Sequence, residues 1–575
     1  MTSERPQQRR LTRHAFAAAC LLVACTATDS TSSTGGTGSP SPLAVGSNEL
    51  LPTGSTVTVL GGTSGGEYVL VVADTAIDGS SASTAYQVVT TGVAAGGAVS
   101  APSTSRAPLG GTFAMRGPTP DFSVAVRINA RARLTLGPRV ATARQLWAQR
   151  APSSRGLSAS MASAAPQIGD VLTLNVSDDA CGATDFRGAR IVAIGSQSIV
   201  VADTLNPSGG FTPADYSRFA ARFDTLVYPI DVGNFGAPAA FGPEGKIILF
   251  FTTAVNALTP MKSESYVGGF FFDRDLYPVT STSTMQGCRG SNMRNMFYLL
   301  TPDPAGTVNG NIRRTGFVDS VTTSVLAHEF QHLINASRRL YVTPGADPNE
   351  KVWLNEGLSH IAEELLFYHE GQSAPQRNLS VTSLRASRTL VDAFNADQSS
   401  NASRYEDYLT DPSTNSPIRN DDSLGTRGAT WDFLRYLADR KTRDGGTDAS
   451  VWQALVNSKT TGVPNLQQTF GSNVGAMLRD WSVSNYTDDV VTSVSADFSQ
   501  PSWNWHTIFP ALGSNSSYPL KVTSLVAPAT SGSVVPGGAA YYRFSVAANA
   551  TGTVTLSRSS GVTTGPLQGV LVRIR

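Results

Sequence analysis

The segment His328-Glu329-Phe330-Gln331-His332 constrains the fold of this chain more than any other part of the sequence. Apolar residues recur around it at three- and four-residue steps: Val321, Val325, Leu326, Phe330, Leu333 and Ile334. This spacing predicts an amphipathic helix that begins near Asp319, a good N-cap residue. Residues four positions apart share one helix face, so two imidazoles project side by side and can bind one Zn²⁺ at about 2.0–2.1 Å.

Glu329 follows the first histidine directly, so its side chain projects away from the helix face that carries the two histidines. From there a carboxylate can hold a metal-bound water and take its proton. The spacing therefore predicts a zinc site of the hydrolytic kind, with Glu329 as its general base.

A catalytic zinc ion needs a third protein ligand and one open position. The candidates downstream are Glu350, Glu356, Glu363, Glu364 and His360. A second helix is predicted over residues 355–371, where Glu356, His360 and Glu363 share one face. We predict that Glu356 is the ligand, because the helix N-terminus favours a carboxylate. Glu363 or His360 would then accept the N–H of a ligand histidine.

Two blocks of this region resemble a known family. H-E-F-Q-H-L-I-N-A (328–336), followed by W-L-N-E-G-L-S-H-I-A-E-E (353–364), resembles the hyicolysin family of bacterial secreted zinc metallopeptidases. The second block is also similar to the alanyl-type aminopeptidases, which belong to the same gluzincin group. The resemblance extends over about residues 168–489. It implies that Glu356 binds zinc and that Glu363 supports a ligand histidine.

Gluzincins also use a downstream Tyr, His or Arg to stabilise the oxyanion of the tetrahedral intermediate. Many relatives carry Tyr-Gly at the position where this chain has Leu424-Gly425. The replacement candidates are Arg427, which we rank first, Tyr405 and Tyr408. An ordinary ion pair between Arg427 and Asp421 or Asp422 is the alternative interpretation.

The N-terminal residues have the features of an export signal. Residues 1–25 combine a basic region with an apolar stretch that is too short to span a bilayer. Leu22-Val23-Ala24-Cys25 resembles the bacterial lipobox, which implies lipidation of Cys25. An ordinary cleaved signal peptide is the alternative. Residues 26–47 are rich in Ser, Thr, Gly and Pro and predict a flexible linker.

The remaining patterns predict a multidomain protein. Short β-runs over residues 48–135, including 121–126, predict an all-β accessory domain. The segment 136–166 is predicted to be a linker or processing region. Residues 167–515 predict an α+β zincin-type metallopeptidase domain. Residues 516–575 predict a second domain resembling a β-sandwich.

The cysteines predict one disulfide. Of four cysteines, Cys20 lies in the signal segment and Cys25 in the lipobox. Cys181 and Cys288 remain, and an even pair in an exported chain favours a disulfide between them.

These patterns predict an exported, lipid-anchored zinc metalloendopeptidase at the cell envelope, or a secreted one if the anchor is absent, acting on proteins or peptides. A net charge of +1 without a basic patch argues against a nucleic-acid partner. Ca²⁺ is not indicated, because acidic pairs in loops are usually only solvated.

One alternative function is a surface adhesion lipoprotein with a structural zinc site, in which His360 would be the fourth ligand. Another is an aminopeptidase, whose Gly-x-Met-Glu-Asn-type motif this sequence lacks.

Overall fold

Most of the chain after residue 40 is described by the structure, which is a computed structural model. The described residues are 41–96, 120–121, 123–149, 165–242, 244–283, 286–443, 445–512, 517–525, 528–559 and 565–575. The predicted signal segment 1–25, with Cys25, lies outside them. Residues Pro42–Arg575 form one compact unit.

The first part of this unit contains five strands and then two helices. The strands are β1 Asn48–Pro52, β2 Thr56–Leu60, β3 Gly66–Asp74, β4 Thr84–Thr91 and β5 Ala94–Ala95. The helices are α1 Ser123–Leu136 and α2 Val140–Gln149. The strand predicted over 121–126 is wrong, because residues from Ser123 onward belong to α1. Ile128, Ala132 and Leu136 lie four positions apart and form the buried stripe of this helix.

A mixed sheet follows, with helices between some of its strands. Its strands are β6 Val171–Asn175, β7 Phe186–Ile194, β8 Ser198–Asp203, β9 Ile247–Phe251, β10 Gly269–Phe271 and β11 Met296–Leu299. The helices are α3 Pro213–Arg222, α4 Tyr228–Phe235 and α5 Thr253–Leu258. The strand order is β10-β11-β9-β8-β7-β6. Strand β10 runs antiparallel to β11 and forms one edge of the sheet.

The chain then becomes helical. The helices are α6 Thr315–Ser337, α7 Val352–Glu370, α8 Val381–Arg385, α9 Arg388–Ala393, α10 Ser399–Thr410, α11 Leu424–Arg443, α12 Asp448–Val456, α13 Val463–Phe470, α14 Val474–Thr487 and α15 Trp505–Leu512. Short 3₁₀ or π turns cover Gly137–Arg139, Phe223–Val227, Asp273–Leu276, Arg338–Val342, Phe394–Gln398 and Ala496–Phe498. Asp319 does not cap α6, which begins four residues earlier. Its carboxylate instead pairs with Arg218 at 2.7 Å.

Five strands end the chain and join those at its start. They are β12 Val522–Ser524, β13 Ala529–Val534, β14 Ala539–Val546, β15 Thr551–Arg558 and β16 Leu567–Arg573. One sheet has the order β1-β16-β3-β14-β12, with β5 also paired to β14, and another has the order β13-β4-β15-β2.

The N-terminal and C-terminal strands thus form one sandwich, whereas the sequence predicted two separate β-domains. Strand β3 pairs with both β14 and β16. Apolar side chains of both sheets share one core, which includes Leu70, Val88 and Leu556. The other face of the first sheet packs on the helical region, where the Tyr541 hydroxyl donates to the Ser482 carbonyl at 2.8 Å.

The predicted disulfide is present, between Cys181 and Cys288. It links the turn after β6 to the segment before β11. Within the part of the chain that the structure describes, no helix combines the length and apolar character needed to cross a membrane.

Two glycines allow close helix packing next to α7. A Cβ on Gly357 would lie 2.5 Å from Cγ2 of Thr430 on α11. A Cβ on Gly428 would lie 2.2 Å from the backbone carbon of Arg404 on α10. Because these positions lack a side chain, α11 approaches both neighbours closely and carries its arginines toward α7.

Candidate metal centre

Helix α6 carries the two histidines of the predicted site. His328 and Glu329 are buried, and the side chain of His332 is 11% exposed. Their four-residue spacing directs both imidazoles to the same side, and the two Nε2 atoms lie 3.2 Å apart.

Helix α7 brings Glu356 against this pair. One carboxylate oxygen lies 3.4 Å from Nε2 of His328, and the other lies 3.6 Å from Nε2 of His332. The three predicted ligands therefore offer two nitrogens and an oxygen to one point.

This donor set fits a zinc ion. Tetrahedral coordination at about 2.0–2.1 Å separates neighbouring ligand atoms by roughly 3.3–3.4 Å. The Nε2–Nε2 distance of 3.2 Å, and the distances of 3.4 Å and 3.6 Å from His328 and His332 to different oxygens of Glu356, bracket that value. Two imidazoles and one carboxylate are also the ligands that zinc hydrolases use while leaving a fourth position open.

Glu363 orients the first histidine. Its Oε1 lies 2.8 Å from Nδ1 of His328. The other oxygen lies 3.3 Å from Nδ1 of His360 and 3.5 Å from the guanidinium of Arg404. A proton on Nδ1 of His328 leaves Nε2 available as a ligand atom, so this contact selects the required tautomer.

His360 belongs to a different group of side chains from the three predicted ligands. It clusters with His328 and with Glu363, which contacts Nδ1 of His328, whereas His332 and Glu356 face Nε2 of the same ring. A four-ligand site closed by His360 therefore does not form in this arrangement.

Glu329 is held beside the three donor atoms by the edge strand. Its Oε2 accepts the backbone N–H of Phe271, the last residue of β10, at 2.7 Å. The hydrogen bond anchors one oxygen of the carboxylate, which leaves Oε1 as the atom available for proton transfer.

Burial and neighbouring charges shift the titration of these groups. Burial raises the pKa of Glu329 to about 7 and lowers the pKa of His332 to about 4. In His328, burial opposes the charged form, but hydrogen bonds to Glu356 and Glu363 raise its pKa to about 9. A metal ion would have to displace that proton, because only a neutral imidazole binds metal.

Arg427 contacts two carboxylates. Nη1 donates to Oε2 of Glu356, and Nε donates to Asp422 at 2.7 Å. The ion pair with Asp422 was the alternative interpretation of this residue, whereas the contact with Glu356 was not predicted. Its role as an oxyanion donor stays a prediction.

The two tyrosines considered as oxyanion donors lie elsewhere in the core. The hydroxyl of Tyr405 donates to Asn485 at 2.8 Å, and its ring packs edge-on against Trp505. Tyr408 stacks on Trp481. Both side chains are fully buried and neither lines the cavity beside the predicted ligands.

Two side chains in this region were not predicted from the sequence. Arg404 reaches Glu363 from α10, and Asn129 on α1 lines the cavity beside Glu329 and His332. Neither residue lies in a recognisable motif, and their sequence distance from residues 328–332 exceeds the range of helix periodicity.

Comparison with known proteins agrees with a metal-dependent peptidase in general terms. No protein-family model matches the sequence. A stretch of 155 residues is 30% identical to the neutral metalloprotease ShpI of Staphylococcus hyicus. The match covers 27% of this chain and 31% of ShpI. The chain therefore shares a region of distant similarity with a metalloprotease and spans about a third of its length.

Proposed function

We propose that this protein is an exported zinc metalloendopeptidase of the hyicolysin type. The observation that carries the proposal is the convergence of His328, His332 and Glu356 beside the anchored carboxylate of Glu329. The similarity to a neutral metalloprotease supports it. An N-terminal lipid anchor on Cys25 is part of the proposal and rests on the lipobox-like sequence alone.

In this proposal His328, His332 and Glu356 hold the zinc ion. When bound, zinc acidifies water and polarises the scissile carbonyl. Glu363 keeps the proton of His328 on Nδ1, and Arg427 holds the carboxylate of Glu356 in place. These contacts fix the ligand atoms before the metal binds, which reduces the cost of organising the site.

Glu329 performs the proton transfers. Oε2 stays hydrogen-bonded to Phe271, while Oε1 takes a proton from the attacking water and returns it to the leaving amine. Glu329 would therefore be the general base, and then the general acid, of peptide hydrolysis.

The same geometry favours this function over a structural zinc site in an adhesion protein. A structural site normally closes its fourth position with Cys or His. His360 is engaged with Glu363, and the described cysteines are joined in a disulfide. Neither residue type completes the group formed by His328, His332 and Glu356.

The test compares the purified protein with its Glu329→Gln and His328→Ala variants, with His369→Ala as the control. Zinc content, circular dichroism and casein cleavage are measured for each protein. Glu329→Gln should keep the fold and about one zinc per chain while activity falls by at least about 100-fold. His328→Ala should lose zinc, whereas the exposed His369 should be replaceable without effect.

Two results would contradict the assignment. Loss of zinc or of the fold in Glu329→Gln would make that residue structural. Full zinc occupancy in His328→Ala would exclude His328 as a ligand.

A further inference from the structure

Helix α1 lies across the candidate metal centre. Val126 and Asn129 on α1 and Glu329, His332 and Glu356 line opposite sides of one cavity of about 30 Å³. That volume accommodates only a few water molecules. Sites for organic ligands are usually about 300–1,000 Å³, so α1 leaves too little room beside the centre for a peptide.

Asn129 occupies the outer edge of β10. Its Nδ2 donates to the carbonyl of Phe271 at 2.8 Å, and its Oδ1 accepts the N–H of Asp273 at 3.1 Å. One side-chain amide thus supplies the same donor and acceptor as the backbone of an added strand. An extended peptide that pairs with an exposed strand edge would use these two backbone groups.

The residues before α1 continue along the same side. The N–H of Asp121 donates to the carbonyl of Tyr266 at 2.6 Å, and Pro120 pairs with Tyr266 as a parallel bridge. The chain therefore contacts the segment leading into β10 through an isolated bridge at Pro120 and Asp121, and α1 lies beside the centre.

The rest of the segment is bound by contacts over its whole length. Ile128, Ala132 and Leu136 are buried in the core that includes the metal-centre helices. Arg133 pairs with Asp273 at 3.5 Å. On α2, the ring of Trp147 lies 4.8 Å from that of Tyr341.

Charge also favours this contact. Residues 123–149 contain five arginines and no acidic residue. The surface beneath α1 presents Asp273, Glu329 and Glu356. Of these arginines, Arg133 lines the cavity and pairs with Asp273, and this ion pair gains electrostatic energy where water is excluded.

We propose that residues 120–149 are an intramolecular inhibitor that fills the peptide-binding groove between β10 and the metal centre. The proposal rests on the proposed function for the identity of the groove. In this state the predicted zinc ligands are assembled, but α1 fills the space that a peptide substrate would need. Activity requires that α1 leave the outer edge of β10 and free the backbone groups of Phe271 and Asp273.

Substitutions in α1 test the proposal in the full-length protein. Asn129→Leu removes both hydrogen bonds to the edge strand and keeps the branched shape of the side chain. Ile128→Asp places a charge in the buried stripe of the helix. Leu134→Asp is the matched control, because Leu134 is on the same helix and is 83% exposed.

Two quantities are measured for each protein: the cleavage rate of an internally quenched peptide and the rate at which 1,10-phenanthroline removes zinc. Asn129→Leu and Ile128→Asp should raise both rates at least tenfold, whereas Leu134→Asp should change each less than twofold. Adding Glu329→Gln to Asn129→Leu should abolish cleavage and keep the fast zinc removal.

The outcomes separate this proposal from the proposed function. Faster zinc removal without cleavage in any protein would support the occluding role of α1 and contradict the peptidase. If folded Asn129→Leu matches the parent protein in both rates, α1 is a fixed wall of the site and the inhibitor proposal is wrong. If the Ile128→Asp variant does not fold, the Asn129→Leu variant alone tests the proposal.

Discussion

Arg427 donates a hydrogen bond from Nη1 to Oε2 of Glu356, and both side chains are almost completely buried. The pair joins α11 to α7 at the carboxylate that faces His328 and His332. A buried charge that loses its partner is strongly destabilised, so the arginine and the carboxylate depend on each other.

Arg427→Met should therefore weaken zinc binding by about 10–100-fold, because the carboxylate of Glu356 loses the contact that orients it. Competition with a chromophoric chelator measures this affinity. Arg419→Met is the control, since Arg419 forms a more exposed ion pair with the neighbouring Asp421. Equal zinc affinity in the Arg427→Met and Arg419→Met variants would show that the contact does not organise the site.

Glu363→Ala should also lower zinc affinity by about 10–100-fold, because Nδ1 of His328 loses its acceptor at 2.8 Å. The adjacent Glu364 provides the contrast. It binds Arg435 and the indole of Trp503 instead of the histidines. Glu364→Gln should reduce the free energy of unfolding while zinc affinity stays within about twofold. A similar loss of affinity in both variants would mean that general destabilisation, not orientation of His328, is responsible.

Removing the disulfide should reduce stability without changing the metal centre. The bridge joins residues separated by 107 positions, and by the loop-entropy model closure of a loop this long contributes about 4–5 kcal/mol. The double variant Cys181→Ser/Cys288→Ser should lose that amount in urea unfolding, and the reduced parent protein should match it. Zinc content should stay at about one per chain. An unchanged unfolding midpoint would show that the bridge adds nothing to stability.

The buried carboxyl group of Asp432 should make stability depend on pH. It accepts hydrogen bonds from the indoles of Trp481 at 2.8 Å and Trp505 at 3.1 Å. Burial raises its pKa to about 7, above the value of 3.8 expected in the unfolded chain. The stabilisation is therefore complete below pH 3.8 and is lost as the pH rises through 7.

Asp432→Asn replaces one acceptor by an amide donor that faces an indole N–H, which should cost about 1–3 kcal/mol. Because the variant lacks the titrating group, the difference in unfolding free energy from the parent should be larger at pH 5 than at pH 8. Unfolding in urea at both pH values measures it. Asp392→Asn, at an exposed ion pair, should show no such change. A difference that grows toward pH 8 would contradict the raised pKa.

Local periodicity was sufficient to predict the helices that carry His328, His332 and Glu356, because residues three or four apart on a helix share a face whatever surrounds it. Glu363 follows Glu356 by seven positions, so it was predicted on the same helix face. The two cysteines outside the signal segment predicted the disulfide. The structure brings these side chains together and adds the distances that make a zinc site plausible.

Local periodicity could not predict contacts between segments that are distant in the sequence. The contact of Arg427 with Glu356 depends on the packing of α11 against α7, which Gly357 permits. Strand β1, near the start of the described chain, pairs with β16, near its end. The two predicted β-domains are therefore one sandwich. Helix α1 illustrates the same limit: the sequence predicted a strand over 121–126, and the stripe of Ile128, Ala132 and Leu136 does not specify the surface that it covers. That choice follows from which apolar and charged surfaces the folded chain brings within reach, and only the tertiary structure places Asn129 on the edge of β10 above the metal centre.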